Sequence, residues 1–287
     1  MILVTGASGF IGRSLTRQLT AANLPHKPYT NDINNFVALR EQLADVETVI
    51  HLAGAEATGR IRPLRVVDVE GTETLLKALR QRAIRRLIVI SRLNATPNGV
   101  QLLLRAKGIV EQTVQQSGVP YTIVRSATCF GRYDHFTNAI AATAAWTFPF
   151  VILPNGGTTA LQPLWVEDAA RCLVSAAQND DFLNQTIEIA GGERLRYSEI
   201  VTQVLLAAKL RRYPLRMRPQ LARALNRVTA WMFRRPPLNR FDHDRFSSPE
   251  VADLNTIPDQ FGFRAERLVN HLTHLRAGGH LGRIWRM

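Results

Sequence analysis

The stretch Ile2-Leu3-Val4-Thr5-Gly6-Ala7-Ser8-Gly9-Phe10-Ile11-Gly12 decides the fold. It opens as a short apolar strand, passes three glycines, and leads into a helix predicted over 13–22. Each glycine has a mechanical reason in a turn that binds a dinucleotide. Gly6 permits the tight turn off the strand. Gly9 lets backbone approach a pyrophosphate with no side chain in the way, and Gly12 lets the helix pack closely on the sheet. The helix N-terminus then offers free N–H groups and the positive end of its dipole to the phosphates. A lone glycine triplet is a weak signal, but this one follows a strand and opens a helix at the head of an α/β pattern. The candidates here are Gly6, Ser8, Gly9, Phe10, Ile11, Gly12 and Arg13.

The pattern continues outward. Apolar runs predict strands over 48–54, 86–91 and 121–125, and helical periodicity falls over 67–81 and 108–117. Such alternation predicts a parallel sheet with right-handed crossovers, with ligands at the carboxyl ends of the strands. The expected fold is α/β: a Rossmann-type, doubly wound parallel sheet with a small C-terminal cap. The second strand, over 25–30, carries Pro25 and Pro28, and no sequence for a further strand separates it from Asp32-Ile33. It is therefore expected at the sheet edge, where a missing N–H breaks no central ladder. The expected division is a dinucleotide-binding domain over 1–130, to which 158–192 returns, and a cap region over 131–287.

The second half is less regular. No charged residue occurs from Phe136 to Val166. Pro149, Pro154, Gly156 and Gly157 interrupt that stretch, and its helical part, over 137–148, is too short to cross a bilayer. It reads as a buried or interfacial helix. A late strand is expected over 186–192 and helices over 197–208 and 220–233. The last places Leu221, Leu225, Val228 and Met232 on one face, with Arg223 and Arg227 elsewhere. Such a helix either lies on a membrane surface or packs as a cap on the core.

With 46% hydrophobic and 21% charged residues, the 287-residue chain has the composition of an ordinary globular protein. Cys129 and Cys172 have no metal-type spacing, no His, Cys or carboxylate cluster suggests a metal site, and a reducing compartment is the simplest reading. The first strand at residue 2 leaves no room for a leader, so a cytoplasmic protein is expected, with a peripheral place on the inner face of a membrane left open. The net charge of +13 is high for a metabolic enzyme. Its excess gathers late, from Lys209, Arg211, Arg212, Arg216 and Arg218 through Arg223, Arg227, Arg234, Arg235 and Arg240 to Arg245, against Asp242 and Asp244. This is either a solvated, arginine-biased face or a surface for anionic lipid or an acidic partner. Nucleic acid is disfavoured because no nucleic-acid motif accompanies the charge.

These residues resemble the extended and atypical short-chain dehydrogenases, the group of epimerase/dehydratase-like proteins dependent on NAD, over nearly the whole chain. Thr5 to Gly12 is similar to the family's glycine motif. His51-Leu52-Ala53-Gly54 is similar to its adenosine-side strand end, and Val69-Glu70-Gly71-Thr72 to its crossover helix. Val124-Arg125 with Phe130-Gly131 resembles the strand ending beside the nicotinamide, and Gln162 to Ala170 the segment that returns before the cap. The spacing from Ser91 to Lys107 and the tail around Pro236-Pro237 look most like the atypical branch. That branch includes the NAD(P)H-binding accessory subunit of respiratory complex I and related quinone-pathway proteins.

The resemblance implies a lysine that holds the nicotinamide ribose and lowers the pKa of a tyrosine four residues before it, which exchanges the proton while hydride moves. Lys107 stands in the lysine's place, but Leu103 occupies the tyrosine's. Leucine exchanges no proton, so an accessory or cofactor-holding role competes with an oxidoreductase or epimerase reaction that uses another donor, with Thr96 as a weak stand-in. The implied cofactor contacts continue through Leu52, Ala53, Gly54, Ser91, Ser126, Ala127 and Thr128. An acid that would accept from the ribose hydroxyls is expected near Thr30 or Asn31, and neither is acidic. NADP(H) is therefore favoured over NAD(H), with Arg13 and Lys27 as phosphate partners. Asp32-Ile33 is either the adenine-contacting pair or an ordinary Asx turn. Arg132 and His135 either face a small anionic or quinone-like substrate or lie in a solvated loop. Cys129 reads as an inert thiol and Asp168 as a helix cap.

Overall fold

Short apolar runs make the strands, and the computed structural model describes residues 1–217, 241–242 and 248–277. In chain order, β1 is Ile2–Thr5, β2 His26–Tyr29, β3 Thr48–His51, β4 Arg86–Arg92, β5 Tyr121–Ser126 and β6 Cys129–Phe130. Then come β7 (Phe150–Pro154), β8 (Ala160–Leu161), β9 (Leu164–Trp165), β10 (Gln185–Ile189), β11 (Leu195–Arg196) and β12 (Tyr213–Met217). The described residues fall into two units. Unit 1 is Met1–Ser126, Val166–Ile189 and Asn255–Phe263; unit 2 takes the described residues of 127–165, 190–254 and 264–287.

Unit 1 holds a six-stranded parallel sheet in the order β10-β5-β4-β3-β1-β2. Leu3, Val4, Val49, Ile50, Leu87, Ile88, Ile123 and Val124 are fully buried, as expected when helices cover both faces of a parallel sheet. β2 lies at the edge, with Pro28 beside Val4, as expected of a strand with no further strand beyond it. This is the Rossmann-type α/β sheet that the alternation predicts.

The helices depart from the expected bounds for local reasons. α1 (Phe10–Ala21) starts directly on the glycine loop, and α2 (Phe36–Gln42) is capped by the Asn35 side chain, which accepts from Ala38 N. Where one helix was expected over 67–81, a turn, α3 (Ile61–Pro63), runs through a π-helical stretch at Leu64–Glu70 into α4 (Gly71–Leu79). α5 (Leu102–Gln115) begins earlier than expected because Gly108 is an interior residue of the helix, not its start. A Cβ there would lie 2.1 Å from the Thr96 carbonyl carbon, so the bare Cα is what lets the Thr96-Pro97 backbone cross the helix. α6 is Phe136–Trp146 and α7 Val166–Gln178. α7 pairs with α1 through Glu167, which accepts from Ser14 Oγ at 2.8 Å and from Gln18 Nε2 at 3.0 Å.

In unit 2, α6 and α8 (Tyr197–Ala207) build a core with Phe130, Val151, Leu153 and Leu161. Most of α6 is buried, so the uncharged stretch is a core helix. Among the described residues no helix is long and apolar enough to cross a membrane. The expected 220–233 helix and the arginines from 218 to 240, with Arg245, lie outside the described residues.

Candidate functional site

The glycine loop turns where β1 leaves the sheet. Gly6 has φ +68°, and a Cβ on it would lie 2.7 Å from Leu52 and Ala53 backbone atoms. The loop is thereby pressed onto the end of β3. Gly9 N donates to Gly6 O at 2.9 Å, which closes the turn. At Gly9 a Cβ would meet only Gly6 O, so its outer side is open to a ligand. A Cβ on Gly12 would lie 2.2 Å from Gly6 O and 2.7 Å from the Ala7 backbone. The expected reason for Gly12 therefore shifts: the helix packs closely on its own loop. Gly9 caps α1 without a side chain, and the first turn carries no acid. The N-terminal amides and dipole are thus left to an anion. Ser8 and Arg13 are exposed there, and Arg13 Nη1 donates to Ser8 O at 2.8 Å.

Thr30, Asn31 and Asp32 are exposed just beyond β2. Asp32 Oδ1 accepts from Asn34 N at 2.9 Å, so the Asx turn forms. Ile33 is buried, and a Cβ on Gly71 would lie 2.5 Å from its Cγ2, which makes it a core contact of α4. Lys27 stands inside β2 opposite Leu3, two residues before the strand's end, whereas Arg13 lies in the first turn of α1.

At the ends of β1 and β3 a chain of hydrogen bonds runs through His51. Thr72 Oγ1 donates to Asp68 O at 2.5 Å and so accepts from His51 Nε2 at 3.0 Å. The proton therefore sits on Nε2, and Nδ1 accepts from Thr5 Oγ1 at 2.7 Å. Thr5 Oγ1 in turn accepts from Ala53 N at 3.3 Å. Burial, with the Lys107 charge, lowers the His51 pKa to about 3, so the ring is neutral and the directions are fixed.

The same chain reaches Lys107. Its Nζ donates to Asp68 Oδ1 at 2.7 Å, while Asp68 Oδ2 accepts from Ala55 N at 2.8 Å. Both side chains are buried, Asp68 at 1% exposure and Lys107 at 10%. Burial pulls the Lys107 pKa down, but the Asp68 charge and hydrogen bond, with Glu56 further off, more than offset it, and the net direction is up. A Cβ on Gly54 would lie 3.1 Å from Asp68 Oδ1 and 3.6 Å from Lys107 Nζ, so the glycine leaves the pair reachable from the strand end. Sequence reading missed Asp68. Its signal was an acid two residues before Glu70 on a face that the helical pattern buries.

One turn before Lys107, Leu103 is buried, and no hydroxyl stands there. Ser91, at the carboxyl end of β4, is 2% exposed and its Oγ has no hydrogen-bond partner among the described residues. A buried hydroxyl left so costs about 1–3 kcal/mol, which a ligand's polar group would relieve. Thr96 is exposed, and its backbone N donates to Leu104 O at 3.1 Å. Glu111 binds Arg125 through two oxygens, at 3.0 and 2.7 Å, and fixes α5 to β5. Ser126 ends β5 in unit 1. Ala127 and Thr128 belong to unit 2, where Thr128 Oγ1 donates to Glu250 Oε2 at 2.7 Å.

Also in unit 2, Asp134 is fully buried and caps α6, accepting from Gly131 N, Thr137 N and Thr137 Oγ1. Burial pushes its carboxyl up against the pull of these donors and of His274. His135 pairs with Asp242 at 3.1 Å, and Arg132 lies 5.4 Å from the Tyr133 ring centroid. Asp168 lies in the first turn of α7 and is buried. No group of His, Cys, Asp and Glu among the described residues is arranged to hold a metal.

Residues 27–132 match the family model described as NAD(P)H-binding. The chain is 26% identical over 224 residues to the mouse NADH dehydrogenase [ubiquinone] 1 alpha subcomplex subunit 9, covering 70% of this chain and 59% of that one. It thus spans well under two thirds of that relative's length. An NAD(P)H azoreductase of Xenophilus azovorans is 24% identical over 219 residues, covering 72% of this chain and 74% of its own. The fold is similar to that of the Thermus thermophilus UDP-glucose 4-epimerase solved with NAD, with a TM-score of 0.72 at 17% identity, over 96% of this chain and 99% of that one. The likeness to the extended and atypical short-chain dehydrogenases, stated from the motifs, therefore holds in both sequence and fold.

Proposed function

We propose that unit 1 holds a nicotinamide dinucleotide and that the protein serves chiefly as a cofactor-holding or accessory protein. The pyrophosphate lies on the loop at Gly6, Ser8, Gly9 and Gly12 and on the α1 N-terminus. Lys107, held by Asp68, reaches the nicotinamide ribose. Such a cofactor supplies or accepts hydride when bound; the chain's own part is to position it. The observation that carries the accessory reading is Leu103, buried one turn before Lys107, where the resemblance calls for a proton-exchanging tyrosine. Thr30 and Asn31, exposed beyond β2 where an NAD-type acid is expected, are not acidic, which supports NADP(H), with Arg13 and Lys27 as the candidate cations for a 2′-phosphate. The likeness to a complex I subunit and the basic second half support docking on an anionic surface or larger assembly.

A second reading is an active reductase or epimerase. The azoreductase relative favours it, as does the orphan Ser91 hydroxyl at the strand end. Mass spectrometry of the purified protein identifies the bound dinucleotide, and NADP(H) is expected. NADPH oxidation is then followed against quinones, azo dyes and carbonyl compounds, and sugar-nucleotide epimerisation is assayed separately. Stoichiometric cofactor without turnover is expected. A kcat/KM of about 10⁴ M⁻¹s⁻¹ or more on any substrate, within the ordinary enzyme range, overturns the accessory reading.

A further inference from the structure

One face of unit 2 is apolar, aromatic and open. β7 turns Val151 and Leu153 into the core, so Phe150 and Ile152 face away from it. In the parallel ladder Tyr213 stands opposite Phe150 and Leu215 opposite Ile152, and cross-strand partners share a face. Tyr213 is 70% exposed, Phe150 45% and Leu215 41%. The chain entering β7 adds Phe148, 73% exposed, and α6 ends on Trp146, 47% exposed. Scattered exposed hydrophobics are normal, but Phe148, Phe150, Tyr213 and Leu215 gather on one short sheet and its lead-in as a patch.

The charge around this patch has one sign. Lys209 and Arg211, on the chain entering β12, are exposed, while Arg216 stands opposite Leu153 on the other face of the ladder. Arg212 folds back: its Nε donates to Ala144 O at 2.5 Å and its guanidinium lies 5.1 Å from the Phe148 ring centroid, so it props the ring outward. No Asp or Glu occurs in 136–166 or in 200–241, so nothing on these segments neutralises the cations. A second copy adding a strand is poorly served, because β12 carries Pro214, which lacks an N–H, and the charged Arg216. Tryptophan, tyrosine and phenylalanine beside these cations suit the boundary between headgroups and acyl chains of an anionic bilayer.

We propose that the aromatic face of β7 and β12, with Trp146 and Phe148, docks the protein on an anionic lipid surface. This deepens the anionic-surface part of the reading above and is independent of whether a dinucleotide binds or reacts. The test uses the full chain with phosphatidylcholine vesicles, with and without phosphatidylglycerol, at low and high salt. The native protein sediments with the anionic vesicles at low salt and is released by high salt. Brominated acyl chains quench its fluorescence, and Trp146→Phe removes most of that quenching. Lys209→Gln with Arg211→Gln lowers partitioning about thirtyfold, the loss expected for two cations near an anionic surface. Phe148→Ser with Tyr213→Ser lowers it at low salt although every cation is kept. Circular dichroism and thermal unfolding like the native protein's show that the variants are folded.

Three results overturn the proposal. The native protein ignores anionic vesicles, both folded double variants partition like the native chain, or the variants instead turn a native dimer into a monomer by light scattering.

Discussion

Replacing Asp68 by asparagine removes one charge of a buried pair while keeping an oxygen for the Ala55 amide. At 2.7 Å the Lys107–Asp68 attraction is about 6 kcal/mol at an effective dielectric near 20. The loss is capped because the stranded ammonium sheds its proton. Neutralising a lysine from its ordinary 10.5 at about pH 7 costs roughly 5 kcal/mol. The capped figure falls at the top of the ~3–5 kcal/mol typical of a buried pair broken on one side. The pH dependence then carries the sign. In the native protein the Lys107 pKa is raised on folding, so the pair's stabilisation is present below the unfolded value and fades only as pH rises through the folded one. In Asp68→Asn, burial without a partner depresses it, so the variant's penalty is present below the unfolded value and shrinks by about 1.4 kcal/mol per pH unit as that value is approached. Urea unfolding of both proteins at about pH 7 and about pH 10 measures this. Asp68→Leu with Lys107→Met should be less damaging than either single change. A loss below about 1 kcal/mol, or one equal at both pH values, refutes the argument.

Other expectations follow from neighbouring geometry. Gly12→Ala places a methyl 2.2 Å from Gly6 O, so the loop must move; thermal unfolding should show a loss of ~1–3 kcal/mol or more, and calorimetry at least a tenfold loss of dinucleotide affinity. His51 has its pKa depressed from 6.5 to about 3, so its share of stability is complete above 6.5 and drains away as pH falls toward 3, by roughly 4–5 kcal/mol in all. NMR titration of the ring with a midpoint above about 5 contradicts the assigned hydrogen bonds. Thr30→Asp puts an acid beyond β2, and should weaken NADPH binding by about tenfold or more while sparing NADH, as ~1.4 kcal/mol of repulsion gives; equal effects on both cofactors place the 2′-phosphate elsewhere.

The sheet was legible because its signal is local. Runs such as Leu87 to Ile90 are apolar without a break, as strands buried on both faces must be, and Pro28 of β2 suits an edge. The loop's glycines were legible for the same reason, although what Gly12 touches was not. The start of α5 was misplaced because Gly108 looks like a boundary in sequence and is a crossing point in space. Lys107 was found by its place in a motif, but its buried partner lies 39 residues earlier on a π-helical turn that no residue pattern announces. The aromatic face on β7 and β12 was equally hidden, since Phe150 and Tyr213 become neighbours only when two distant strands pair.

The sequence by itself determined the parallel sheet, the glycine turn at the end of β1 and the leucine four residues before Lys107. All three are properties of short contiguous segments, where backbone sterics and periodic burial act without reference to the rest of the chain. Only the tertiary structure decided that Lys107 is locked to Asp68, that His51 is held neutral between two threonines, and which apolar side chains stay outside. Those outcomes depend on desolvation and on distances across the fold, and both arise only once the strands and helices have packed.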